Sequence, residues 1–534
     1  MSGPFLYSDN PTDLAAIQTA LPQLAANIVV GPSVTGVPSR TAADKFAEHV
    51  SVQDYGATGD GVTRYLSSRF ATLGAAQAVY PFVTNIATQT LDWAGIMLAL
   101  SNSQNVYIPA GTYRCAGDAI EITRATRLMG DGPHITHITR NTSGHGIYLN
   151  MASATSDTRL DGFELVNTMA DGAPTSGAGI YGHLGYVNEV TNLRITNFYD
   201  GIHIVQCPVG NYRSLNITTF SRYGFWSEGG NGLDCRMSEF IISGQLLVLG
   251  LPTVYGIAGI RLDDLNDEHS FMNGIVNFCQ TGLYTDSASH AISACPEFGR
   301  FINVSFDSNA TGIDLANCSD MVFDACYFSN RPNNGAVIGS RGPTRHVKFI
   351  GCTFYSNGGN GVFVDGSAKF TYFIGCSFSA NSVTTPSSAH GAVVAGSATD
   401  FHFIGCQFDN LWGTGTQNFG LYIASAGCTR FTVTSCTFSS ASGASFINSS
   451  TASDQNVFGN SGYRTKASGQ VTLVAGTRAV TFPTDFPSAV YSLALSSGAN
   501  ETLYWSSKAA SGFTVTSSVG ASTSVVDWTA EIQQ

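Results

Sequence analysis

Three carboxylates in this 534-residue sequence occupy the same place in a repeated motif. The motif is a glycine followed by apolar-x-apolar, and Glu228, Asp263 and Asp286 each stand four residues after its glycine. If the motif is a β-strand, x and the residue two positions later face outward. Neighbouring strands would then hold two carboxylates ~5 Å apart and the outer two ~10 Å apart. These separations bracket the ~5–5.5 Å of retaining and the ~6.5–9.5 Å of inverting glycosidases, so the three residues are candidate catalytic groups.

Two other interpretations of the carboxylates remain open. Like charges this close raise the pKa of one group, as a general acid requires, but an acidic ladder without any chemistry has the same pattern. The register is also ambiguous, because Gly256 or Gly259 could begin the motif, and the wrong choice turns Asp263 sideways.

The outward position x of the motif predicts a second column of side chains. Aromatic rings bind the apolar faces of sugars, and arginine and histidine supply charge and hydrogen bonds. The alternative is a ladder that only stabilises the sheet or packs in a subunit interface. The candidate substrate-binding residues are Tyr181, His203, Trp226, Arg261, Tyr284 and Asp314.

Elimination is an alternative to hydrolysis. A lyase would need a base such as His203 or His183, and Arg261 or Arg213 near a uronate carboxylate. The acidic run from Arg261 to His269 could bind Ca²⁺ but lacks EF-hand spacing, and a solvated turn is its commonest meaning. No metal site and no cofactor are predicted, because the sequence has no Walker loop, no full Rossmann fingerprint, no GxSxG elbow and no CxxC spacing.

The elements that must position these residues repeat along the chain. The strings at 349–354, 373–378 and 403–408 share the pattern Phe-Ile-Gly-Cys-x-Phe, and weaker copies lie at 301–306, 323–328 and 433–438. Each period holds two strand motifs with turn residues between them and no helical periodicity. Such a unit cannot bury its apolar face alone, so the sequence predicts a parallel β-helix of roughly fourteen rungs. A many-stranded sandwich does not explain why Cys and Gly return in register.

Strand alternation makes a prediction about the core of these repeats. It places Ile350, Cys352 and Phe354 inside and Gly351 outside, so that Asp324, in the position of Ile350, misfits. The repeated cysteines are expected to be reduced, buried and free of disulfides. They are Cys326, Cys352, Cys376, Cys406 and Cys436.

The periodicity also divides the chain. Residues 1–48 are predicted to be an attachment arm, 49–462 a β-helix with an N-terminal cap, and 463–534 a small β-sandwich for trimerisation or glycan binding. The stretch 91–100 is predicted to be a short amphipathic helix that covers the open edge of the first rung.

Four strings near the N-terminus carry a family resemblance: VQDYGATGDGV (52–62), LDWAGIMLAL (91–100), VYIPAGTY (106–113) and LMGDG (128–132). Together they resemble the first rungs of the pectate-lyase-like superfamily, as found in phage tailspikes and other polysaccharide-degrading β-helices. The sequence departs from that pattern at Arg64 and Tyr65, where an acidic pair often stands, and in an insertion that runs to about Thr90. These motifs shape turns and are not expected to be catalytic.

The resemblance implies a right-handed β-helix that forms a homotrimer in a virion tail. Its partners would be a bacterial surface polysaccharide (O-antigen, capsule or exopolysaccharide), which it would cleave, and a baseplate or adaptor protein bound through the N-terminal arm. The resemblance and the carboxylates favour hydrolysis, with a lyase on the same fold or a non-catalytic glycan-binding adhesin as alternatives. Such a protein is made in the cytoplasm of the bacterial host and acts outside it.

Composition excludes other classes of function. Charged residues make up 12% of the chain and the formal net charge is -12, which argues against nucleic-acid binding and favours a neutral or cationic partner. The stretch 246–260 is too short and too rich in glycine to span a bilayer, so no membrane insertion is predicted. No Lys or Arg precedes Arg40, so a secretory signal is not expected.

Overall fold

The computed structural model describes most of the chain from His49 onward. The described ranges are 29–30, 40–41, 49–151, 157–183, 187–205, 209–229, 235–244, 256–263, 268–286, 295–330, 332–410, 417–439, 445–463, 466–482, 491–509 and 511–531. The predicted attachment arm lies outside these ranges, apart from the paired strands Val29–Val30 and Arg40–Thr41.

One face of the molecule is a parallel sheet, named sheet A here, that counts thirteen strands within the described ranges. Each strand pairs with the strand of the next rung, which is the topology of a β-helix and confirms the predicted fold. The count is close to the roughly fourteen rungs predicted. The strands are Ile120–Ile122, Ile147–Asn150, Ala178–His183, Asp200–Val205, Tyr223–Glu228, Gly256–Asp263, Cys279–Asp286, Thr311–Leu315, Ala336–Ile338, Val362–Val364, Ala392–Val394, Leu421–Ile423 and Phe446–Asn448.

The remaining strands of the β-helix form a second connected parallel sheet, named sheet B. Its first rungs comprise Val50–Ser51, Asn105–Ile108, Gly111–Arg114, Thr126–Gly130 and Thr136–Arg140. Long strands follow at Asp157–Asn167, Val187–Thr196, Val209–Thr218, Cys235–Ser243, Ser270–Asn277 and Arg300–Asp307. The later rungs comprise Cys318–Ser319, Val322–Asp324, Tyr327–Ser329, Thr344–Arg345, Lys348–Ile350, Thr353–Tyr355, Ala368–Ile374, Ser377–Ser379, Thr399–Ile404, Gln407–Asp409, Phe431–Thr434, Thr437–Phe438 and Gln455–Phe458.

A corner in sheet B changes which residues of the Phe-Ile-Gly-Cys-x-Phe repeat face inward. Gly351 has a φ of 58°, in the left-handed region, and interrupts the strand alternation. Phe349, Cys352 and Phe354 are therefore buried, whereas Ile350 is 37% exposed. The prediction that Ile350 faces the core was wrong, because it assumed an unbroken strand. Asp324, which pairs with Ile350, is no misfit, since this position faces outward.

The core is built from columns of like residues. Phenylalanine rings of successive rungs stack with centroids 4.6–5.0 Å apart at Phe271, Phe301, Phe323, Phe349, Phe373 and Phe403. The five repeated cysteines are buried beside them, and burial raises the pKa of the Cys352 thiol.

A buried amide ladder satisfies the polar backbone at one turn. Asn357 Nδ2 donates to Asn381 Oδ1 at 2.8 Å, and Asn381 Nδ2 donates to Gln417 Oε1 at 2.8 Å. The same Asn357 and Asn381 amides also donate to carbonyls of the rung before. Burying these amides is tolerated because each one finds partners in the neighbouring rungs.

The predicted capping helix is present at Leu91–Asn102. It is buried on almost every side, rather than amphipathic, because the insertion packs over it, with the Phe82 and Trp93 rings in an edge contact at 5.5 Å. Asp92 ties the helix to the first rung by accepting from the backbone N–H groups of Thr58 at 2.6 Å and Arg114 at 2.8 Å. Shorter helices lie at Val52–Tyr55, Leu66–Ser68 and Leu73–Gln77. Among all the described residues, no helix is long and apolar enough to cross a membrane.

The C-terminal segment is the predicted β-sandwich. As far as the structure describes it, one antiparallel sheet comprises Lys466–Thr472, Ser492–Ser497 and Val525–Glu531, and the other comprises Thr477–Thr481, Leu503–Ala509 and Gly512–Ser517. Phe482, Tyr491, Phe513 and Trp528 form its core.

Candidate functional site

The motif glycines lie where successive rungs of sheet A approach each other most closely. A Cβ on Gly224 would lie 2.3 Å from Ile242 Cγ2 and 2.6 Å from the carbonyl oxygen of Gly259. A Cβ on Gly259 would lie 2.2 Å from Val276 Cγ1. Protein interiors at native packing density have no room for such contacts. These rungs therefore need glycine here, and the glycines mark the same register position in successive strands.

The register of sheet A aligns the candidate residues in two columns. Gly259, rather than Gly256, is the glycine of the motif, because Trp226 pairs with Arg261 and Glu228 with Asp263. Asp263 in turn pairs with Asp286. The first column is continuous through the pairs Tyr181–His203, His203–Trp226, Trp226–Arg261, Arg261–Tyr284 and Tyr284–Asp314.

The side chains of the first column are stacked on one another. The rings of His203 and Trp226 are parallel within 10° and their centroids are 3.7 Å apart. The guanidinium of Arg261 lies 5.3 Å from the Trp226 centroid and 5.5 Å from that of Tyr284. Stacking covers His203, whose side chain is 11% exposed, so this residue is less accessible than an outward position suggests.

The three carboxylates of the second column have different surroundings. Glu228 Oε2 lies 2.8 Å from His203 Nε2, and its side chain is 39% exposed. Asp263 Oδ2 accepts from Arg261 Nε at 2.5 Å and from Trp226 Nε1 at 2.8 Å, and its side chain is 8% exposed. Asp263 therefore points outward from the sheet but is covered by its neighbours.

Asp286 is the third carboxylate and has a partner on a later turn. Its Oδ1 accepts from Asn317 Nδ2 at 3.0 Å, and its Oδ2 lies 3.7 Å from a terminal nitrogen of Arg341. Its side chain is 20% exposed. Glu228 and Asp286 are thus the two accessible carboxylates, and they flank Asp263 at ~10 Å from each other by strand spacing.

Burial governs the protonation of the central groups. It raises the pKa of Asp263 above the usual aspartate value, although Arg261 and Trp226 oppose the rise. Burial lowers the pKa of His203 to about 4, so its ring is neutral at pH 7. Neutral His203 can then donate Nε2–H to the Glu228 carboxylate.

Two arginines of this surface are not predicted by the strand motif. Arg222 forms a two-pronged ion pair with Asp200, at 2.9 and 2.6 Å, and its guanidinium lies 4.5 Å from the Trp226 centroid. Arg341 donates from Nε to Asp314 Oδ2 at 2.7 Å and lies 3.9 Å from the Tyr284 centroid.

Both arginines lie outside the strands whose alternation predicts a column, so sequence spacing gave no signal for them. His145 was missed for the same reason; its ring stacks on Tyr181 at 4.3 Å. Asp314, predicted to bind substrate, is engaged by Arg341.

Other sequence-based candidates are not brought to this site. Arg213 lies in sheet B, whereas His203 lies in sheet A, so the structure does not bring together Arg213 and His203 as a lyase would need. The side chain of His183 and the loop residues 264–267 lie outside the described residues. Among the residues that the structure describes, no group of three His, Cys, Asp or Glu side chains is placed to hold a metal ion.

Comparison with known proteins agrees with the fold. A family model described as "Right handed beta helix region" matches residues 281–477, and the fold is a right-handed parallel β-helix. The structure is similar to the tailspike protein gp49 of Pseudomonas phage LKA1, with a TM-score of 0.55 and 15% identity over 90% of this chain and 99% of that one. No curated protein matches the sequence.

Two further tailspikes have a comparable fold. Tailspike protein 3 of bacteriophage CBA120 matches with a TM-score of 0.55 and 14% identity over 86% of this chain and 70% of that one. A mutant tailspike of the E. coli bacteriophage HK620, solved in complex with a pentasaccharide, matches with a TM-score of 0.55 and 13% identity over 98% of this chain and all of that one. The comparisons therefore show that this chain shares the right-handed parallel β-helix fold of these tailspikes.

Proposed function

We propose that this protein is a tailspike-type depolymerase, which binds a bacterial surface polysaccharide along sheet A and hydrolyses it. The observation that carries the proposal is the alignment of three carboxylates on adjacent rungs beside a continuous column of aromatic and arginine side chains. Aromatic rings and arginines can hold successive sugars, and a carboxylate pair supplies an acid and a base.

Glu228 and Asp286 are the proposed catalytic pair. A catalytic carboxyl must reach the sugar, and these two are more exposed than Asp263. Their separation of ~10 Å is close to the ~6.5–9.5 Å of inverting glycosidases, in which one group protonates the leaving oxygen and the other activates water. Asp263 is a positioning residue in this mechanism, because its charge holds Arg261 against Trp226.

Assembly and location follow from the same proposal. The chain would form a homotrimer, the C-terminal sandwich would help to hold the subunits together or bind glycan, and residues 1–48 would attach the trimer to a baseplate or adaptor protein of the virion. The fold similarity to phage tailspikes supports this arrangement.

A non-catalytic adhesin is the second candidate function. The ion pairs of the three carboxylates favour this candidate, since a purely structural ladder would also pair its charges. The pairs are Glu228 with His203, Asp263 with Arg261, and Asp286 with Arg341. A lyase that uses neutral His203 as its base and Arg261 as its charge-neutralising group is the alternative enzyme.

One experiment separates these functions. Full-length protein is incubated with a panel of bacterial surface polysaccharides, and binding, new reducing ends and the ultraviolet absorbance of unsaturated products are followed. A hydrolase releases reducing ends without the absorbance, a lyase gives both, and an adhesin binds without either. Failure to bind any polysaccharide in a broad panel contradicts all three.

A further inference from the structure

We propose that a cavity beside the N-terminal cap binds a small oxyanionic group, such as a carboxylate or a phosphate. The cavity has a volume of about 130 Å³, several times what one water molecule needs. Its walls come from the cap and from the ends of sheet B strands, whereas the carboxylate columns lie in sheet A. The site is therefore separate from the proposed catalytic surface and does not depend on it.

The lining of the cavity is basic and rich in hydroxyl groups. Arg114 and Arg140 are its charged residues, and acidic side chains are missing from the described residues that line it. The other lining residues are Thr63, Tyr65, Thr90, Cys115, Ala116, Thr139, Asn141 and Thr168. Tyr65 and Asn141 are exposed, so the cavity opens to solvent. Guanidinium and threonine groups are the donors that bind carboxylates and phosphates.

Within the described part of the chain, neither arginine forms an ion pair at this cavity. Arg114 donates from Nε to the carbonyl oxygen of Gly61 at 3.0 Å and from a terminal nitrogen to Thr139 Oγ1 at 3.3 Å. Arg140 donates to the carbonyl oxygens of Asp118 at 2.9 Å and Gly117 at 3.1 Å. These acceptors carry no net charge. A bound anion would supply the negative charge that balances the two guanidinium groups.

Arg140 gives an independent indication of a ligand. It is only 5% exposed, and its buried Nε has no hydrogen-bond partner among the residues that the structure describes. A buried charged group normally has its hydrogen bonds satisfied and its charge compensated. Burial lowers the pKa of Arg140, and the nearby Asp118 carboxylate offsets only part of this lowering. An anion in the cavity would raise the pKa again.

The insertion that distinguishes this sequence from the tailspike-like pattern contributes a wall of the cavity. Tyr65 and Thr90 stand at the two ends of the insertion and both line the cavity. Arg64, beside Tyr65, forms an ion pair with Asp60 at 2.6 Å and does not line the cavity. The departure from the family pattern thus coincides with the anion-binding cavity.

The test measures anion binding to the full-length protein by calorimetry and by thermal melting. The probes are inorganic phosphate and glucuronate, with neutral glucose as the negative control, so the two arms distinguish a free phosphate from the carboxylate of an acidic sugar. We expect at least one anion to bind and to raise the melting temperature, since a ligand that binds only the folded state stabilises it. Arg114→Gln should weaken this binding at least about tenfold, the usual effect of losing a charge-assisted hydrogen bond.

Arg124→Gln is the matched control. Arg124 also donates to a backbone carbonyl, that of Leu100 at 2.8 Å, but lines a different cavity, so its loss removes the same charge without changing the site. Thr139→Val, which keeps the shape of the side chain, replaces Arg114→Gln if that variant does not fold. The proposal is overturned if neither anion binds at millimolar concentrations, or if Arg124→Gln weakens binding as much as the cavity variant does.

Discussion

The indole of Trp226 lies flat against the imidazole of His203 and at the same time donates its Nε1–H to Asp263. One side chain thus couples the aromatic column to the carboxylate column of sheet A. A sugar that rests on this surface would contact a ring fixed in orientation by both neighbours, which reduces the conformational entropy lost on binding.

Replacing the accessible carboxylates should separate binding from turnover. We expect Glu228→Gln and Asp286→Asn each to lower turnover on a confirmed polysaccharide by about 10²-fold or more, because each removes a proton-transfer group. Glycan affinity should change little, since the amides keep the shape of the site. Rates come from reducing-end assays and affinities from calorimetry.

The controls lie on the other sheet. Glu189→Gln and Asp307→Asn remove the same charges from sheet B and should leave turnover unchanged. If Glu228→Gln, Asp286→Asn and also Asp263→Asn all retain the wild-type rate, the acid and base lie elsewhere and the proposed pair is wrong.

Protonation of His203 should make the protein less stable in mild acid. Its pKa falls from 6.5 to about 4 on folding, so the unfolded chain binds the proton more readily between these values. The stabilisation it gives is complete above pH 6.5 and is lost as the pH falls towards 4. This contribution to the free energy of unfolding is at most about 3 kcal/mol, and solvent screening makes it smaller. Urea unfolding of wild type and His203→Gln over this range measures the difference.

Exposed His134 supplies the control for that experiment. His134→Gln should leave the pH dependence of the free energy of unfolding as it is in the wild type. Equal pH profiles for the wild type and His203→Gln would refute the assignment of a neutral, buried His203.

A methyl group on a motif glycine should disrupt the rung. Gly224→Ala places its Cβ against Ile242 and the backbone of the next rung, so we expect destabilisation by about 2 kcal/mol or more, as for other overpacked cores. Gly74→Ala is the matched substitution, because a Cβ there meets nothing within 4 Å in a short helix. It should be neutral or stabilising by up to about 1 kcal/mol. A Gly224→Ala protein that melts like the wild type contradicts the close approach.

The proposed assembly can be measured directly. Light scattering of the purified protein should give about 170 kDa, three times the 56.3 kDa chain. Deleting residues 463–534 tests the role of the sandwich, and we expect a shift towards monomer. A wild-type monomer at micromolar concentration would count against the trimer and against the tailspike-type proposal.

The sequence predicted sheet A better than sheet B, for a physical reason. Most sheet A strands carry a motif glycine at a close approach between rungs, so counting from Gly224 and Gly259 placed Trp226 beside Arg261 and Glu228 beside Asp263. In sheet B the left-handed corner at Gly351 shifted the alternation, and Ile350 was assigned to the wrong face. Arg341 was not predicted, because no strand register relates that arginine to Asp286, some 55 residues earlier in the sequence.

The stacked phenylalanines have a consequence for how the length of this molecule can change. Phe349 and Phe373 are 24 residues apart and Phe373 and Phe403 are 30 apart, yet their rings lie in one unbroken stack, since the extra residues are absorbed in the turns. An insertion inside a strand would move a phenylalanine, a cysteine and a surface residue out of their columns together. Duplicating a complete repeat would displace none of them. The β-helix can therefore lengthen or shorten only in whole steps of about 4.8 Å, each of which adds or removes one position in every column of outward-facing side chains.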